Sequence, residues 1–380
     1  MKLVIHDLNK EEWEKISQDY TDCEVISDQG TIRPCTGCFS CWNRTPGQCI
    51  LKDGYGNMGP LVHHAEEVII ISRYTYGGFS GFVKNVIDRC LGYVLPQFEI
   101  VNNETHHQKR YDEDKPFTFI FYGPELTEEE KENTRRYMAA MCANFRSHVK
   151  DVIFRETDEP VQIPYELRKE NGKTVLLNVS MRFTSGNSAI LSKQLKSQLK
   201  TEAEDVVLVK YLNDLSGLIR KLEDASTIVL CMPLYVDGLP SQIIRLFEEF
   251  RKEYHGTAKK IYVLANMGLY ESKQLVNLFS MVRTWCEKTG FDYCGGLGVS
   301  AGELIGGLMQ MMPFKAFPMK NVREGMDRLA DAIDEGKTID DIYAEPYLFP
   351  RFLYMEIANR NWNVTAKKNG ISPKDLYRKL

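Results

Sequence analysis

The chain has 380 residues, 43% hydrophobic and 26% charged, the proportions of a globular protein with room for two ordinary domains. Its 48 basic and 52 acidic residues leave a net charge of −4, which excludes the concentrated positive face of a general nucleic-acid binder. No run approaches the ~20 apolar residues of a membrane-spanning helix, and the polar start Met1-Lys2-Leu3-Val4-Ile5-His6 lacks the features of a secretory signal. The expectation is a cytoplasmic protein without nucleic-acid or membrane partners, in which ten cysteines point to a metal or redox role.

In chain order, strand Lys2–Ile5 runs into His6-Asp7-Leu8-Asn9-Lys10-Glu11-Glu12-Trp13. Asp7 or Asn9 would cap a helix there, and two glutamates in its first turn favour the helix but repel a phosphate. Next come Cys35-Thr36-Gly37-Cys38-Phe39-Ser40-Cys41-Trp42 and then Cys49, the spacing C-x2-C-x2-C-x7-C. Three thiolates so close converge on one face of a loop, and the fourth closes a tetrahedron. Cys35, Cys38, Cys41 and Cys49 suit a [4Fe–4S] cluster or, less well, zinc; free thiols or a labile disulfide are the alternative. Strand Val68–Ile71, helix Phe82–Arg89 and strand Phe117–Phe121 follow. Between the last two lie Glu104, His106, His107 and Arg110, read as a hydrogen-bonding or substrate-facing loop rather than a metal site.

Pro160, Pro164 and the turn signal Asn171-Gly172 put a domain boundary between Arg155 and Lys173. Beyond it stand strand Thr174–Val179, helix Ala189–Leu199, strand Ile228–Cys231, helix Gln242–Arg251 and strand Ile261–Leu264. Short β-branched strands alternating with helical periods predict parallel sheets with helices on both faces. An internal repeat supports two domains: with Ala65 set on Ala225, Gly78 falls on Gly238 without a gap, and a helix follows each loop. Asn321–Asp334 reads as an amphipathic helix stopped by Gly336. The tail Tyr343–Leu380 is too apolar for disorder, and a helical appendage on the second domain or another subunit is expected. The predicted fold class is α/β, two tandem doubly wound parallel-sheet domains at 1–155 and 173–320, with a helical extension over 321–380.

Between strand Thr174–Val179 and helix Ala189–Leu199 lies Ser180-Met181-Arg182-Phe183-Thr184-Ser185-Gly186-Asn187-Ser188. A loop of hydroxyl and amide residues running into a helix aims several backbone N–H groups at one point, with the helix dipole behind them. It suits a monophosphate bound without a catalytic lysine or Mg²⁺, because the glycine spacing and Lys of a P-loop are missing. Plain N-capping is the competing reading.

This segment resembles the Ser-x-Arg…Gly-Asn-Ser/Thr phosphate loop of the flavodoxin-like, NADPH-dependent FMN reductases, through Ser180, Arg182, Ser185, Gly186, Asn187 and Ser188. Pro233-Leu234-Tyr235-Val236-Asp237-Gly238 is similar to that family's Pro-x-Tyr loop against the isoalloxazine ring. Asn266-Met267-Gly268-Leu269-Tyr270 matches its third flavin loop. The likeness spans roughly Lys173–Met309 and implies FMN on the second domain, with Tyr235 and Tyr270 framing the ring. In the first domain the cysteine motif is similar to that of iron–sulfur flavoproteins, and equally to relatives with no established cluster. Gly77-Gly78-Phe79-Ser80…Lys84…Asp88-Arg89 resembles the same family's helix start, while Asp53-Gly54 stands where two aspartates are usual. The resemblance implies reducing equivalents passing from NAD(P)H through FMN to a quinone or flavin. A non-catalytic electron carrier, a cluster-to-FMN electron carrier and a decayed binding protein are the alternatives. It also implies a flavin near a dimer interface, formed by a homodimer or by the first domain acting as an internal second half.

Overall fold

A computed structural model describes residues 1–157, 172–254 and 256–380. Pro160, Pro164 and Asn171 of the expected boundary lie outside the described residues. The chain divides into two compact units, Met1–Val161 with Met355–Leu380, and Gln162–Tyr354.

The first unit contains β1 (Lys2–His6), α1 (Lys10–Ile16), β2 (Cys23–Ile26), α2 (Ser40–Asn43), α3 (Met58–His64), β3 (Val68–Arg73) and α4 (Gly81–Arg89). It continues with β4 (Val94–Val101), β5 (Glu104–Lys109), β6 (Pro116–Gly123), α5 (Glu128–Asn144) and β7 (His148–Glu156). The main sheet is wholly parallel in the order β2-β1-β3-β6-β7, and β4 and β5 form a separate antiparallel ribbon.

The second unit runs β8 (Lys173–Asn178), α6 (Asn187–Lys196), β9 (Ala203–Val207), α7 (Leu215–Leu222), β10 (Ala225–Pro233), α8 (Ser241–Glu253) and β11 (Lys260–Asn266). After these come α9 (Val276–Thr289), β12 (Asp292–Val299), α10 (Gly302–Met311), α11 (Lys320–Glu335) and β13 (Ile342–Ala344). Its sheet, β13-β12-β11-β10-β8-β9, is also wholly parallel. Counted within each parallel sheet, both orders contain 2-1-3-4-5, the flavodoxin-like winding. The chain is two flavodoxin-like domains in tandem.

Central strands are apolar on both faces because helices cover both. In the second unit Leu176, Val229, Cys231, Tyr262, Leu264 and Leu297 share a core with Leu191 and Leu195 of α6 and Met326 and Leu329 of α11. The alternate positions Val175, Leu177, Ile228, Leu230, Ile261 and Val263 are equally buried on the other face. There Trp285 of α9 lies flat on Phe247 of α8 (3.7 Å between ring centroids, 3°), with Phe291 edge-on at 5.1 Å.

The tail departs from expectation. α11 and β13 are built into the second unit, and Gly336 ends α11 in the left-handed region at φ 63°. From Met355 onward the chain belongs with the first unit instead of the second domain. The reason is aromatic packing: Trp362, on α12 (Arg351–Lys368), stands edge-on to Phe39 (5.5 Å) and Trp42 (5.2 Å). Buried Arg110 adds bonds to the carbonyls of Leu376 (2.7 Å) and Arg378 (2.8 Å).

Trp285→Ala deletes the largest ring of the α8–α9 face. It should lower stability by about 3–5 kcal/mol, read as a shifted midpoint in urea denaturation.

Candidate functional site

The chain reverses direction around β8: β9 lies on one side of it and β10 on the other. β10 also pairs with β11, so the carboxyl ends of β8, β10 and β11 lie side by side. A crevice opens at such a switch point, and the three predicted loops leave from these strand ends.

The first loop is tied by its own side chains. Buried Ser180 donates its amide to Asn178 Oδ1 (2.9 Å), and its Oγ accepts from the Arg182 amide (3.3 Å). Asn178 Nδ2 donates to the carbonyl of Phe183 (3.0 Å), which sits at φ 53°. Ser185 Oγ donates to the Arg182 carbonyl (2.9 Å). Gly186 is the N-cap of α6, and no side chain caps that helix. A Cβ on Gly186 would lie 2.9 Å from Ser180 Oγ, so any larger residue would press on the loop. The amides at the start of α6, at Asn187 and Ser188, thus have no side-chain cap, an arrangement that suits an anion.

The second loop is a two-residue turn. Tyr235 and Gly238 exchange both backbone bonds (3.2 and 3.1 Å), with Val236 at φ 42° and Asp237 at φ 59°, as a type I′ turn requires. Pro233, Leu234, Tyr235 and Val236 are half-buried, and Asp237 and Gly238 are buried.

The third loop knits the others together. Ser188 Oγ donates to Asn266 Oδ1 (2.6 Å), and the Leu234 amide donates to the Asn266 carbonyl (2.8 Å). Met267 is held by its amide on Val299 (3.0 Å) and its carbonyl on Gly302 (2.7 Å). The Tyr354 hydroxyl donates to the Gly268 carbonyl.

All the predicted flavin-loop residues thus gather at one sheet edge. Three differ in detail from expectation. The hydroxyls of Ser185 and Ser188 are spent within the loops, and Tyr270 directs its hydroxyl to the Phe349 carbonyl (2.5 Å) while its ring borders Tyr354 (5.8 Å). Three residues escaped sequence reasoning. Gln242 Nε2 braces the Val179 carbonyl (3.2 Å), Tyr354 holds the third loop, and Glu303 Oε2 stands 3.0 Å from where a Gly268 Cβ would be. No local motif marks any of them.

The same turn recurs in the first unit. Thr75 and Gly78 exchange backbone bonds (2.9 and 3.1 Å), with Tyr76 at φ 47° and Gly77 at φ 94°. The first helix differs. Asn9 caps α1 in a full capping box with Glu12: the Glu12 amide donates to Asn9 Oδ1 (3.0 Å), and the Asn9 amide donates to Glu12 Oε2 (2.8 Å). Asp7, at the end of β1, accepts from the Arg73 amide (3.1 Å) and the Tyr122 hydroxyl (2.8 Å). Burial pushes its carboxyl above the ordinary range, against these bonds and one from Ser80.

The four motif cysteines line one pocket with Asp88 and Arg89. Burial pushes the Cys35 thiol up to about 12 and Cys41 well above its usual value. At Cys38 burial works the same way, but hydrogen bonds from Ser40 and Thr36 outweigh it and bring the thiol down. Arg89 Nε donates to Cys49 Sγ (3.0 Å), and Asp53 clamps the other end of the guanidinium (2.8 and 2.9 Å). Among the described residues no group of three or more His, Cys, Asp or Glu is placed to hold a metal ion. This arrangement gives no support to the expected [4Fe–4S] cluster or zinc at Cys35, Cys38, Cys41 and Cys49. His106 bonds Asn144 (2.8 Å), while His107 packs on Trp42 (4.6 Å) and burial holds it neutral, its value lowered to about 4.

No family model matches the chain, and no curated protein matches it. Among solved structures it is similar to the Trp repressor binding protein from Bacillus subtilis, at 16% identity and TM-score 0.29, covering 34% of this chain and 84% of that one. It is also similar to an FMN-dependent NADH-azoreductase from Bacillus anthracis str. Ames Ancestor, solved in complex with FMN. That match has 12% identity and TM-score 0.32, and covers 43% of this chain and all of that one. The fold assignment rests on strand order, not on these matches.

Asp53 makes a pH prediction. Burial works against its charge, but Arg89 and the Arg33 amide hold the carboxyl down at about 2 from 3.8. Its stabilisation is full above about pH 4 and is lost as pH falls toward 2. Asp53→Asn should be less stable than the parent at pH 7, and the gap in urea midpoint should close between pH 4 and 2.

Proposed function

We propose that the chain is an FMN-dependent oxidoreductase whose second domain holds the flavin. In this reading it draws reducing equivalents from a reduced nicotinamide dinucleotide and passes them to a small acceptor such as a quinone or free flavin. The observation that carries the reading is the uncapped start of α6 at the switch point, hydrogen-bonded through Ser188 to the third loop.

FMN, when bound, supplies the hydride acceptor and the electron store of the reaction. The protein residues bind and orient it. The amides that open α6 take the phosphate, where the dipole favours negative charge and no lysine is needed. Pro233–Gly238 and Asn266–Tyr270 border the ring, offering Tyr235 as an apolar face and turn amides for its polar edge. The first unit is unsuited to a second phosphate, since Asn9 and Glu12 already satisfy the start of α1 and Asp7 already takes the Arg73 amide and the Tyr122 hydroxyl. One FMN per chain follows.

Titration with FMN, followed by quenching of flavin fluorescence, tests this. Saturation at one equivalent per chain is expected. Asn187→Asp, nearly isosteric, places a carboxylate at the first position of α6 and should weaken FMN about tenfold, equal to about 1.4 kcal/mol, through repulsion of the phosphate. Riboflavin, which lacks the phosphate, should bind parent and variant alike. Absence of FMN binding by the parent, or equal binding by the variant, would refute the assignment.

A further inference from the structure

The cysteine pocket lies in the first unit and takes no part in the flavin reading. Its four sulfurs have unequal surroundings. Cys38 is exposed, between Gly37 at φ 60° and Phe39 at φ 56°, so a dissolved reagent reaches it. Cys49 is half-buried, with Arg89 Nε 3.0 Å from its sulfur. That guanidinium is fixed: its two terminal nitrogens are held by Asp53 Oδ2 (2.8 Å) and Oδ1 (2.9 Å), and the first also donates to the Arg33 carbonyl (3.0 Å). The Cys49 amide is fixed as well, on the Gly56 carbonyl (2.8 Å). Side chain and backbone of Cys49 are thus both held in place within the pocket that Cys38 lines, and a thiolate is the form that attacks disulfides.

We propose that this pocket is a dithiol–disulfide exchange site, in which exposed Cys38 and arginine-bonded Cys49 reduce low-molecular-weight disulfides. The Cys38 thiolate attacks one sulfur of the disulfide RSSR. A Cys38–SR bond forms, the reagent's S–S bond breaks, and the departing thiolate takes the proton that Cys38 gave up. The Cys49 thiolate then attacks Cys38 Sγ. The Cys38–Cys49 bond forms, the mixed disulfide breaks, and the second departing thiolate takes the proton from Cys49. Two electrons leave the cysteine pair, and RSSR becomes two RSH. Arg89 is a positioning residue here, keeping the resolving sulfur in place.

Oxidised glutathione is the probe. The full chain, purified anaerobically and reduced, is exposed to it, digested without reductant and mapped by mass spectrometry. A peptide cross-linked between Cys38 and Cys49 is expected. In Cys49→Ser the reaction should stop at a glutathione adduct on Cys38, and in Cys38→Ser uptake of glutathione by the pocket should fall at least tenfold. Mapping of the parent decides the matter even if a variant fails to fold. A lasting adduct on Cys38 with no cross-link, a cross-link to a different cysteine, or iron and sulfide bound to these thiols after anaerobic purification would each overturn the proposal.

Discussion

A helix that begins without a side-chain cap leaves its first amides in need of an acceptor. The rest of the second domain's carboxyl edge depends on α6 being such a helix. Gly186 offers no side chain, and the neighbouring polar groups are already used: Ser185 on Arg182, Ser188 on Asn266, Ser180 under the Arg182 amide. None of these three hydroxyls caps the start of α6. The parallel winding brings this helix start to the point where strand order reverses, beside the ends of β10 and β11. Local chemistry and global topology converge on one place.

The first domain shows the alternative solution. Its equivalent helix is closed by Asn9 and Glu12, and Asp7 takes the donors offered by the ends of β3 and β6. A carboxyl group built into the chain takes hydrogen-bond donors that a bound anion would otherwise meet. The turns after β3 and β10 do not differ in this way: Thr75–Gly78 and Tyr235–Gly238 share backbone bonds and dihedral signs. The two domains thus agree in backbone geometry where they differ in side-chain chemistry.

The sequence made the central strands legible because burial on both faces leaves unbroken apolar runs, as in Val68–Ile71 and Ile261–Leu264. The edge strands β2 and β9 were missed because Glu24 in one and Glu204 and Asp205 in the other break already short apolar runs. β12 was missed for a different reason. Gly296 and Gly298 interrupt its run, yet a Cβ on either would strike Val263 or Leu275 at 2.7 Å, so close packing demands the residue that hides the strand. The β4–β5 ribbon turns at Asn102 and Asn103, both left-handed, and its histidines looked like a loop because they alternate between Asn144 and Trp42. That three loops leave the ends of β8, β10 and β11 was legible from residue type and order. Their bracing by Gln242, Glu303 and Tyr354 was not, since distant segments supply it.

The cysteine loop shows most plainly how distance along the chain is overcome. Phe39 and Trp42, which flank Cys38 and Cys41, stack on each other at 5.3 Å and meet Trp362 of the tail. Arg44 Nε reaches Asn369 Oδ1 (3.3 Å), and a Cβ on Gly47 would touch Leu380 at 2.7 Å. Arg110 is fully buried, and its bonds to the carbonyls of Gly92, Leu376 and Arg378 tie the β5 end to the tail through dipoles. Loss of that guanidinium would strand several buried carbonyls at once, so the contact is cooperative. The loop therefore owes its shape to two inputs: an inner clamp of Asp53 and Arg89 on Cys49, and an outer wall from the last residues of the chain. Both act on the backbone that carries the cysteines, which fixes which sulfur faces solvent and which faces the arginine. A spacing pattern of four cysteines cannot express that asymmetry, and the asymmetry is what separates an exchange-competent pair from four equivalent ligands.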